Sequence, residues 1–252
     1  MTIYVFGAGA IGLALVTHLA NANRSVVLVR TTAEDIDQSP VSIAINDAKS
    51  GTYSAQVDTV SLAKIHDIDG IVVIAAKAYA NTDIADALAA RGCRSPIVIL
   101  QNGIGVEDPF IDVGFAQVFR CILYSGGQKT DAYQTNFRSI GSSPVGVVKG
   151  QQAILDDCIE RLNTPQFPFH VETDIQTETW QKATINAVFN TICPLLDTDN
   201  GVFFRDHRAT ELAMRVIGEC VAVAKALGID LDEQRLRQGL LAISEGSEGQ
   251  LV

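Results

Sequence analysis

The sequence predicts an α/β fold, a Rossmann-type doubly wound parallel sheet followed by an α-helical domain. Three observations support this prediction. An apolar strand leads directly into a glycine-rich turn and a segment of helical length. Apolar strands then alternate with helical segments through the first hundred residues, and helical patterns dominate after residue 173. Alternating strands and helices are typical of a parallel sheet with helices on both faces.

The first elements form a strand–helix–strand unit. Residues 3–6 and 25–30 are short apolar strands, and residues 10–22 have the length and composition of a helix between them. A unit of about thirty residues in this order is typical of two neighbouring parallel strands. The apolar start resembles a secretion signal, but no Lys or Arg precedes Arg24 and glycines interrupt it. We therefore expect neither a signal peptide nor a membrane span.

The remaining elements divide the chain into two domains. In the first, we expect strands at residues 41–45, 53–57, 70–75 and 96–100, helices at 83–91 and 151–162, and short β-like pieces between 115 and 148. In the second, we expect helices at residues 177–195, 208–227 and 233–243. The predicted domains are residues 1–168, the nucleotide-binding domain, and residues 169–252, the helical domain.

Composition narrows the classes of function. The 252 residues are 47% hydrophobic and 19% charged, which indicates a globular chain, and the formal net charge is −10. An acidic chain without a basic stripe is a poor candidate for binding nucleic acid. Five scattered cysteines without a C-x-x-C pair, and four single histidines, predict neither disulfides nor a metal site. A reducing cytoplasm is the expected compartment.

The segment Gly7-Ala8-Gly9-Ala10-Ile11-Gly12 matches the pattern G-x-G-x-x-G. It follows a predicted strand and opens a predicted helix, which is the context that gives the pattern meaning. In a dinucleotide-binding site, the first glycine allows the tight turn, the second admits a pyrophosphate, and the third permits close helix–strand packing. We therefore expect all six residues to bind a cofactor. The alternative is a glycine-rich turn that only serves packing.

Arg30 ends the second strand and is followed by Thr31 and Thr32. Enzymes that use NAD usually have an acidic residue here for the ribose 2′-hydroxyl, whereas a basic residue suits a 2′-phosphate. Arg30 therefore predicts NADPH as the cofactor. Glu34 and Asp35 follow closely and keep NADH open as an alternative.

Polar residues follow two later strands at the edge where ligands bind. Lys77 comes after the strand at 70–75, and Asn102 comes after the strand at 96–100. In an open α/β sheet, the carboxyl ends of the strands face the ligand crevice. The two residues are candidate ligands of the cofactor, and Asn102 also of the substrate, although either could simply cap a loop.

Lys182, Asn186 and Asn190 lie four residues apart in a segment of otherwise apolar character. This spacing places them on one face of a helix. Because burying such a stripe without partners is unfavourable, we expect it to face a polar site. The alternative is an ordinary solvated helix face.

These motifs together resemble the ketopantoate reductase (2-dehydropantoate 2-reductase) family. The resemblance rests on the initial glycine motif, Arg30, A-K-A-Y at 76–79, Q-N-G at 101–103 and K-x-x-x-N-x-x-x-N at 182–190. They occur in the same order as in the family and span nearly the whole chain.

The resemblance implies NADPH-dependent reduction of a branched 2-keto acid, 2-dehydropantoate to pantoate, in pantothenate biosynthesis. It implies that Lys182 is catalytic, and that Asn186, Asn190 and Ser247 bind substrate. It also implies that Lys77 and Asn102 lie near the nicotinamide. The helical domain would then serve substrate binding and dimerisation, and a homodimer is an expected assembly.

The chain also departs from the family pattern. Asn190 is followed by Thr191 instead of proline, and the segment around Ser247 matches the family's S-S-M-x-Q-D poorly. The sequence stops before the family's acidic T-E-I-D motif, so we expect either a truncated polypeptide or a natural short relative with altered substrate use. Two alternatives stay open: a reductase or dehydrogenase of another 2-keto or 2-hydroxy acid, and a catalytically inactive NADPH-binding regulator.

Overall fold

A computed structural model describes residues 1–32, 37–247 and 249 of the chain. The chain divides into two compact units, Met1–Ile175 and Gln176–Val252. The sequence-based boundary after residue 168 falls before this division. The difference arises because a short strand at Phe169–Val171 still pairs with the sheet of the first unit.

One sheet of eleven strands, counted within the described residues, forms the centre of the first unit. Its strands are β1 (Thr2–Phe6), β2 (Val26–Arg30), β3 (Ser39–Asp47), β4 (Gly51–Ser61), β5 (Gly70–Ile74), β6 (Ile97–Ile99), β7 (Val118–Cys121), β8 (Ser125–Asp131), β9 (Gln134–Ser139), β10 (Ser143–Lys149) and β11 (Phe169–Val171). Their order across the sheet is β11-β10-β7-β6-β5-β1-β2-β4-β3-β9-β8.

The middle of this sheet is parallel. Strand β1 pairs with β2 and β5, and β5, β6 and β7 continue in the same direction. Beyond β2, the parallel strand β4 is followed by β3, β9 and β8, which add two antiparallel pairings. The Rossmann-type prediction is therefore confirmed for the parallel centre, and the complete sheet is mixed.

Helices pack on both faces of the sheet. They are α1 (Ala10–Asn21), a 3₁₀ turn (Ala78–Ala80), α2 (Asn81–Ala90), α3 (Asp108–Asp112) and α4 (Gln152–Leu162). Successive strand residues point to opposite faces. Val5 accordingly belongs to the core that contains Leu15 of α1, whereas Phe6 belongs to the core that contains Ile84 of α2. The sheet is therefore doubly wound. Because helices cover both of its faces, the ends of the strands form its open edge.

The second unit is helical, as predicted. It contains most of α5 (Ile175–Leu196), followed by α6 (Val202–Arg205), α7 (His207–Ala226) and α8 (Glu233–Gly246). Its core joins Phe189 of α5 to Phe203 of α6 and to Ile217 of α7. Asp206 caps α7 by accepting hydrogen bonds from the amides of the first turn. Among the described residues, no helix has the length and hydropathy needed to cross a bilayer.

Candidate functional site

The glycine turn between β1 and α1 contains two glycines that packing requires and one that it does not. Gly7 has φ +119°, and a Cβ there would lie 2.7 Å from the carbonyl carbon of Ala75. A Cβ on Gly12 would overlap the carbonyl oxygen of Gly7. A Cβ on Gly9 would meet no atom within 4 Å. Packing therefore explains Gly7 and Gly12, while Gly9 faces open space that a ligand can occupy.

Helix α1 directs its amino-terminal end at this open space. Gly9 is its N-cap, in extended conformation (φ −82°, ψ 178°), and the Gly9 carbonyl accepts from the Leu13 amide at 2.9 Å. The first amides of a helix, here those of Ala10 and Ile11, have no intrahelical acceptors, and the helix dipole adds positive potential there. This arrangement suits a phosphate group.

Two adjoining cavities extend from the glycine turn along the carboxyl edge of the sheet, and we call them together the carboxyl-edge groove. The first, about 240 Å³, is lined by Gly7, Ala8, Gly9, Arg30, Thr31, Thr32, Ala75, Ala76, Lys77, Tyr79, Ala80 and Lys129. The second, about 380 Å³, is lined by Gly9, Ala10, Ile11, Ala75, Ala76, Lys77, Ala78, Leu100, Gln101, Asn102, Leu123 and Gly127. The groove brings together Arg30, Lys77, Asn102 and most of the glycine motif, all of which the sequence marked as candidates.

Arg30 forms one end of the groove, and Tyr133 holds its side chain. Arg30 Nη1 donates to the Tyr133 hydroxyl at 3.2 Å, and the guanidinium carbon lies 5.8 Å from the ring centroid. Thr31 and Thr32 line the same cavity. Glu34 and Asp35, on which the NADH alternative depends, lie outside the described residues.

A buried amide pair lies beneath the loops that carry Lys77 and Asn102. Asn81 Nδ2 donates to Gln101 Oε1 and to the Val106 carbonyl, both at 2.7 Å. Gln101 Nε2 donates to Asn81 Oδ1 at 2.6 Å and to the Ala76 carbonyl at 2.8 Å. Both side chains are buried. Sequence reasoning missed Asn81, because nothing local distinguishes an asparagine that begins a helix from an ordinary cap.

Arg120 of β7 supports the loop after Asn102 from below. Its Nη2 donates to the Gly103 carbonyl at 2.8 Å, and its Nη1 lies 3.6 Å from Glu107 Oε2. Burial lowers the pKa of the Arg120 guanidinium, and the nearby Glu107 carboxylate opposes this shift. The loop is thus fixed by both a buried cation and the amide pair.

The three polar residues of the second unit lie along α5. Lys182 and Asn186 are half-buried, and Asn190 is exposed. Asn190 is therefore not part of a buried stripe, and the expectation that the three residues face a polar site stays a prediction. A helix turns about 100° per residue, so the buried core residues Val188 and Phe189 leave Asn190 on the far side. A substrate-binding role for these residues stays a prediction.

Ser247 follows the last turn of α8 and is buried. Its hydroxyl donates to the carbonyl of Ile243 within the helix, so its hydrogen is used locally. Its proposed contact with substrate stays a prediction. Glu248 and Gln250, from the same motif, lie outside the described residues.

Comparison with protein families gives two matches that together cover most of the chain. Residues 3–150 match the family model described as "Ketopantoate reductase PanE/ApbA", and residues 174–250 match "Ketopantoate reductase PanE/ApbA C terminal". The 2-dehydropantoate 2-reductase of Pyrococcus abyssi is 27% identical over 237 residues, covering 92% of this chain and 76% of that protein.

Solved structures of the same fold include a dimeric ketopantoate reductase from Staphylococcus aureus. It has a TM-score of 0.81 at 17% identity and covers 100% of this chain and 82% of its own. A D-mandelate dehydrogenase solved with NADH and anilino(oxo)acetate has a TM-score of 0.81 at 19% identity, covering 97% and 80%. At these identities, the likeness shows the fold alone.

Proposed function

Since this chain belongs to the ketopantoate reductase family, a family of oxidoreductases, we propose that it reduces a branched 2-keto acid with NADPH, and that its substrate is 2-dehydropantoate. The observation that carries this proposal is the carboxyl-edge groove. It joins the open space at Gly9 to a cationic end at Arg30 and a polar end at Asn102.

The residues of the groove fit NADPH. Gly9 and the first amides of α1 would hold the pyrophosphate, and Arg30 with Thr31 and Thr32 would hold the 2′-phosphate. Lys77 and Asn102 would lie at the nicotinamide end. When bound, the cofactor supplies the hydride, while the protein supplies placement and charge.

Lys182 is the proposed proton donor. A lysine ammonium stabilises negative charge as it develops on a carbonyl oxygen, and it can then transfer a proton to that oxygen. Asn186 and Asn190 follow on the same helix, at the spacing of one turn, and their amides would hydrogen-bond the polar groups of the keto acid. Ser247 would join them only if its hydroxyl exchanged its bond to Ile243 for one to substrate.

The alternatives are separated by turnover. A preference for another keto acid would appear as a higher kcat/KM for that acid, and a regulator would bind NADPH without oxidising it. Purified protein should be tested for oxidation of NADPH and NADH against a panel of 2-keto acids that includes 2-dehydropantoate. We expect 2-dehydropantoate with NADPH to give the highest kcat/KM. Tight NADPH binding without turnover of any keto acid would contradict the enzymatic proposal.

Assembly is tested separately. The S. aureus enzyme is described as dimeric, and we propose a homodimer for this chain as well. Light scattering coupled to size-exclusion chromatography would show twice the mass of 27.0 kDa, and a mass of one chain would contradict it.

A further inference from the structure

The hairpin of β8 and β9 lies far from β2 in the sheet but close to it in space. Three strands (β4, β3 and β9) separate β8 from β2 in the sheet order. Nevertheless, Lys129 of β8 lines the same cavity as Arg30 at the end of β2. The sheet therefore curves so that its last strand forms a wall of the groove.

Gly127 shows how close this strand comes to α1. A Cβ on Gly127 would lie 3.1 Å from the Cβ of Ala10 and 2.9 Å from the Asn136 carbonyl oxygen. Gly127 itself lines the second cavity, while Lys129 lines the first. Strand β8 thus runs along the groove beside the amino terminus of α1, and only a small residue allows this approach.

The same hairpin also holds Arg30. Tyr133 lies between β8 and β9, accepts one hydrogen bond from Arg30 and places its ring near the guanidinium. A guanidinium has five N–H donors, so most of them stay directed elsewhere. Because Tyr133 holds the guanidinium in place before a ligand binds, less side-chain entropy is lost on binding.

The charge of the first cavity is one-sided among the described residues, with Arg30 and Lys129 beside Lys77, which lines both cavities. Arg30, Lys77 and Lys129 line the first cavity, and none of its described lining residues is acidic. The whole chain is acidic, with 19 Lys and Arg against 29 Asp and Glu. The described lining of this cavity, with three cations, is therefore positive in a protein of negative net charge. Such a cavity favours a doubly charged anion over a neutral hydroxyl.

We infer that the β8–β9 hairpin determines specificity for the 2′-phosphate of the dinucleotide, with Lys129 as a second cationic ligand and Tyr133 as a positioning residue for Arg30. This inference rests on the proposed cofactor-binding function of the groove. Lys129 would contact the phosphate directly, whereas Tyr133 would act through the guanidinium.

The test compares Lys129→Gln with Lys149→Gln, which removes the same charge from an exposed lysine of β10 outside the groove lining. Affinities are measured by calorimetry for NADPH, NADH, adenosine 2′,5′-bisphosphate and 5′-AMP. We expect Lys129→Gln to weaken both 2′-phosphate ligands about tenfold, the scale of one charge-assisted hydrogen bond. NADH and 5′-AMP should change less than about twofold, and added salt should reduce the difference.

Tyr133 is tested with Tyr133→Phe and Tyr133→Leu. Tyr133→Phe should retain part of the preference for 2′-phosphate ligands, because an aromatic ring stays under the guanidinium. Tyr133→Leu should lose more of this preference. Two results would overturn the assignment of the hairpin. One is an equal loss of affinity for NADPH and NADH in the hairpin variants. The other is an effect of Lys129→Gln no larger than that of Lys149→Gln. If the unaltered protein bound none of the four ligands, the proposed function of the groove would fail as well.

Discussion

Asn81 and Gln101 exchange two side-chain amide hydrogen bonds, at 2.7 and 2.6 Å, and thereby join the first residue of α2 to the loop after β6. Each amide uses its second N–H on a backbone carbonyl, that of Val106 or Ala76. Every amide hydrogen of the pair is therefore used. A fully satisfied buried pair of this kind fixes one geometry, because any displacement leaves a polar group unpaired.

Asn81→Ala should impair catalysis more than binding at the distant end of the groove. It removes both hydrogen bonds between Asn81 and the Gln101 side chain, and the one to the Val106 carbonyl, at about 1–3 kcal/mol for each buried group left unpaired. We expect a lower unfolding free energy, a reduced kcat with the best keto acid, and unchanged affinity for adenosine 2′,5′-bisphosphate. Asn46→Ala, at an exposed asparagine of β3, is the control. Parallel losses of kcat and bisphosphate affinity would instead indicate general damage to the fold.

Local patterns predicted the centre of the fold well. The glycine motif, the apolar strands and the helical spacing identified β1, α1, β2, β5, β6 and the main helices of the second unit. These elements have strong local patterns, because buried strands are continuously apolar and helices repeat at 3.6 residues. The elements α3, α6 and β11 were not recognised, because each has five residues or fewer and none contains an apolar run as long as P-I-V-I-L at 96–100, which marked β6.

Tertiary relationships were not predictable in the same way. Lys129 lies in the polar segment S-G-G-Q-K-T-D, which gives no indication of a ligand site. Its place beside Arg30 depends on pairings between strands that are distant in sequence. The exposure of Asn190 likewise depends on which side of α5 the other helices cover, and sequence spacing alone does not determine this.

Arg30→Ala should change cofactor preference more than overall affinity. Only NADPH carries a 2′-phosphate, so we expect its Kd to rise at least about tenfold while the Kd of NADH stays nearly constant. Fluorescence titration of both dinucleotides measures the ratio, and Arg138→Ala on the exposed side of β9 is the control. A matching loss for NADH would show that Arg30 does not recognise the phosphate.

Gly9→Val should abolish dinucleotide binding without unfolding the protein. Its Cβ would enter open space, and Gly9 has an ordinary backbone conformation, so the fold should tolerate the side chain. The same side chain would occupy the expected pyrophosphate position. Gly12→Val is the contrasting variant and should unfold, because its Cβ would overlap the Gly7 carbonyl. Normal NADPH affinity in a folded Gly9→Val protein would disprove the assignment of this turn.

His18 should make stability depend on pH. The ring is buried in α1 between Tyr53 and Phe137, with Nε2 3.6 Å from Asp47 Oδ2. Burial lowers the pKa of His18 from 6.5, and Asp47 partly opposes the shift. The unfolded chain therefore takes up the proton at a higher pH than the folded one.

The free energy of unfolding should accordingly keep its full value above pH 6.5. It should fall as the pH drops below this value towards the lower pKa of His18 in the folded state. One proton limits the slope to about 1.4 kcal/mol per pH unit. The free energy of unfolding would be measured in urea at several pH values between about pH 5 and pH 8. The unaltered protein would be compared with His18→Gln and with His66→Gln, an exposed control. The inference about His18 fails if His18→Gln and His66→Gln show the same dependence on pH.

Lys182→Ala tests the proposed chemistry directly. Loss of a positioned proton donor and its charge should reduce kcat by about two to four orders of magnitude. NADPH affinity should persist, because the glycine turn and Arg30 belong to the other compact unit. Lys182→Arg should restore little activity, since a guanidinium holds its proton more tightly and has a different shape.

Lys225→Ala, at an exposed lysine near the end of α7, is the matched control and should retain normal turnover. Binding and single-turnover rates should be measured on the same folded samples, so that hydride transfer is separated from product release. Retained NADPH affinity with slow hydride transfer is the result expected of a catalytic lysine. Near-normal hydride transfer in Lys182→Ala would exclude that role, and a joint loss of unfolding free energy and NADPH affinity would mark Lys182 as structural.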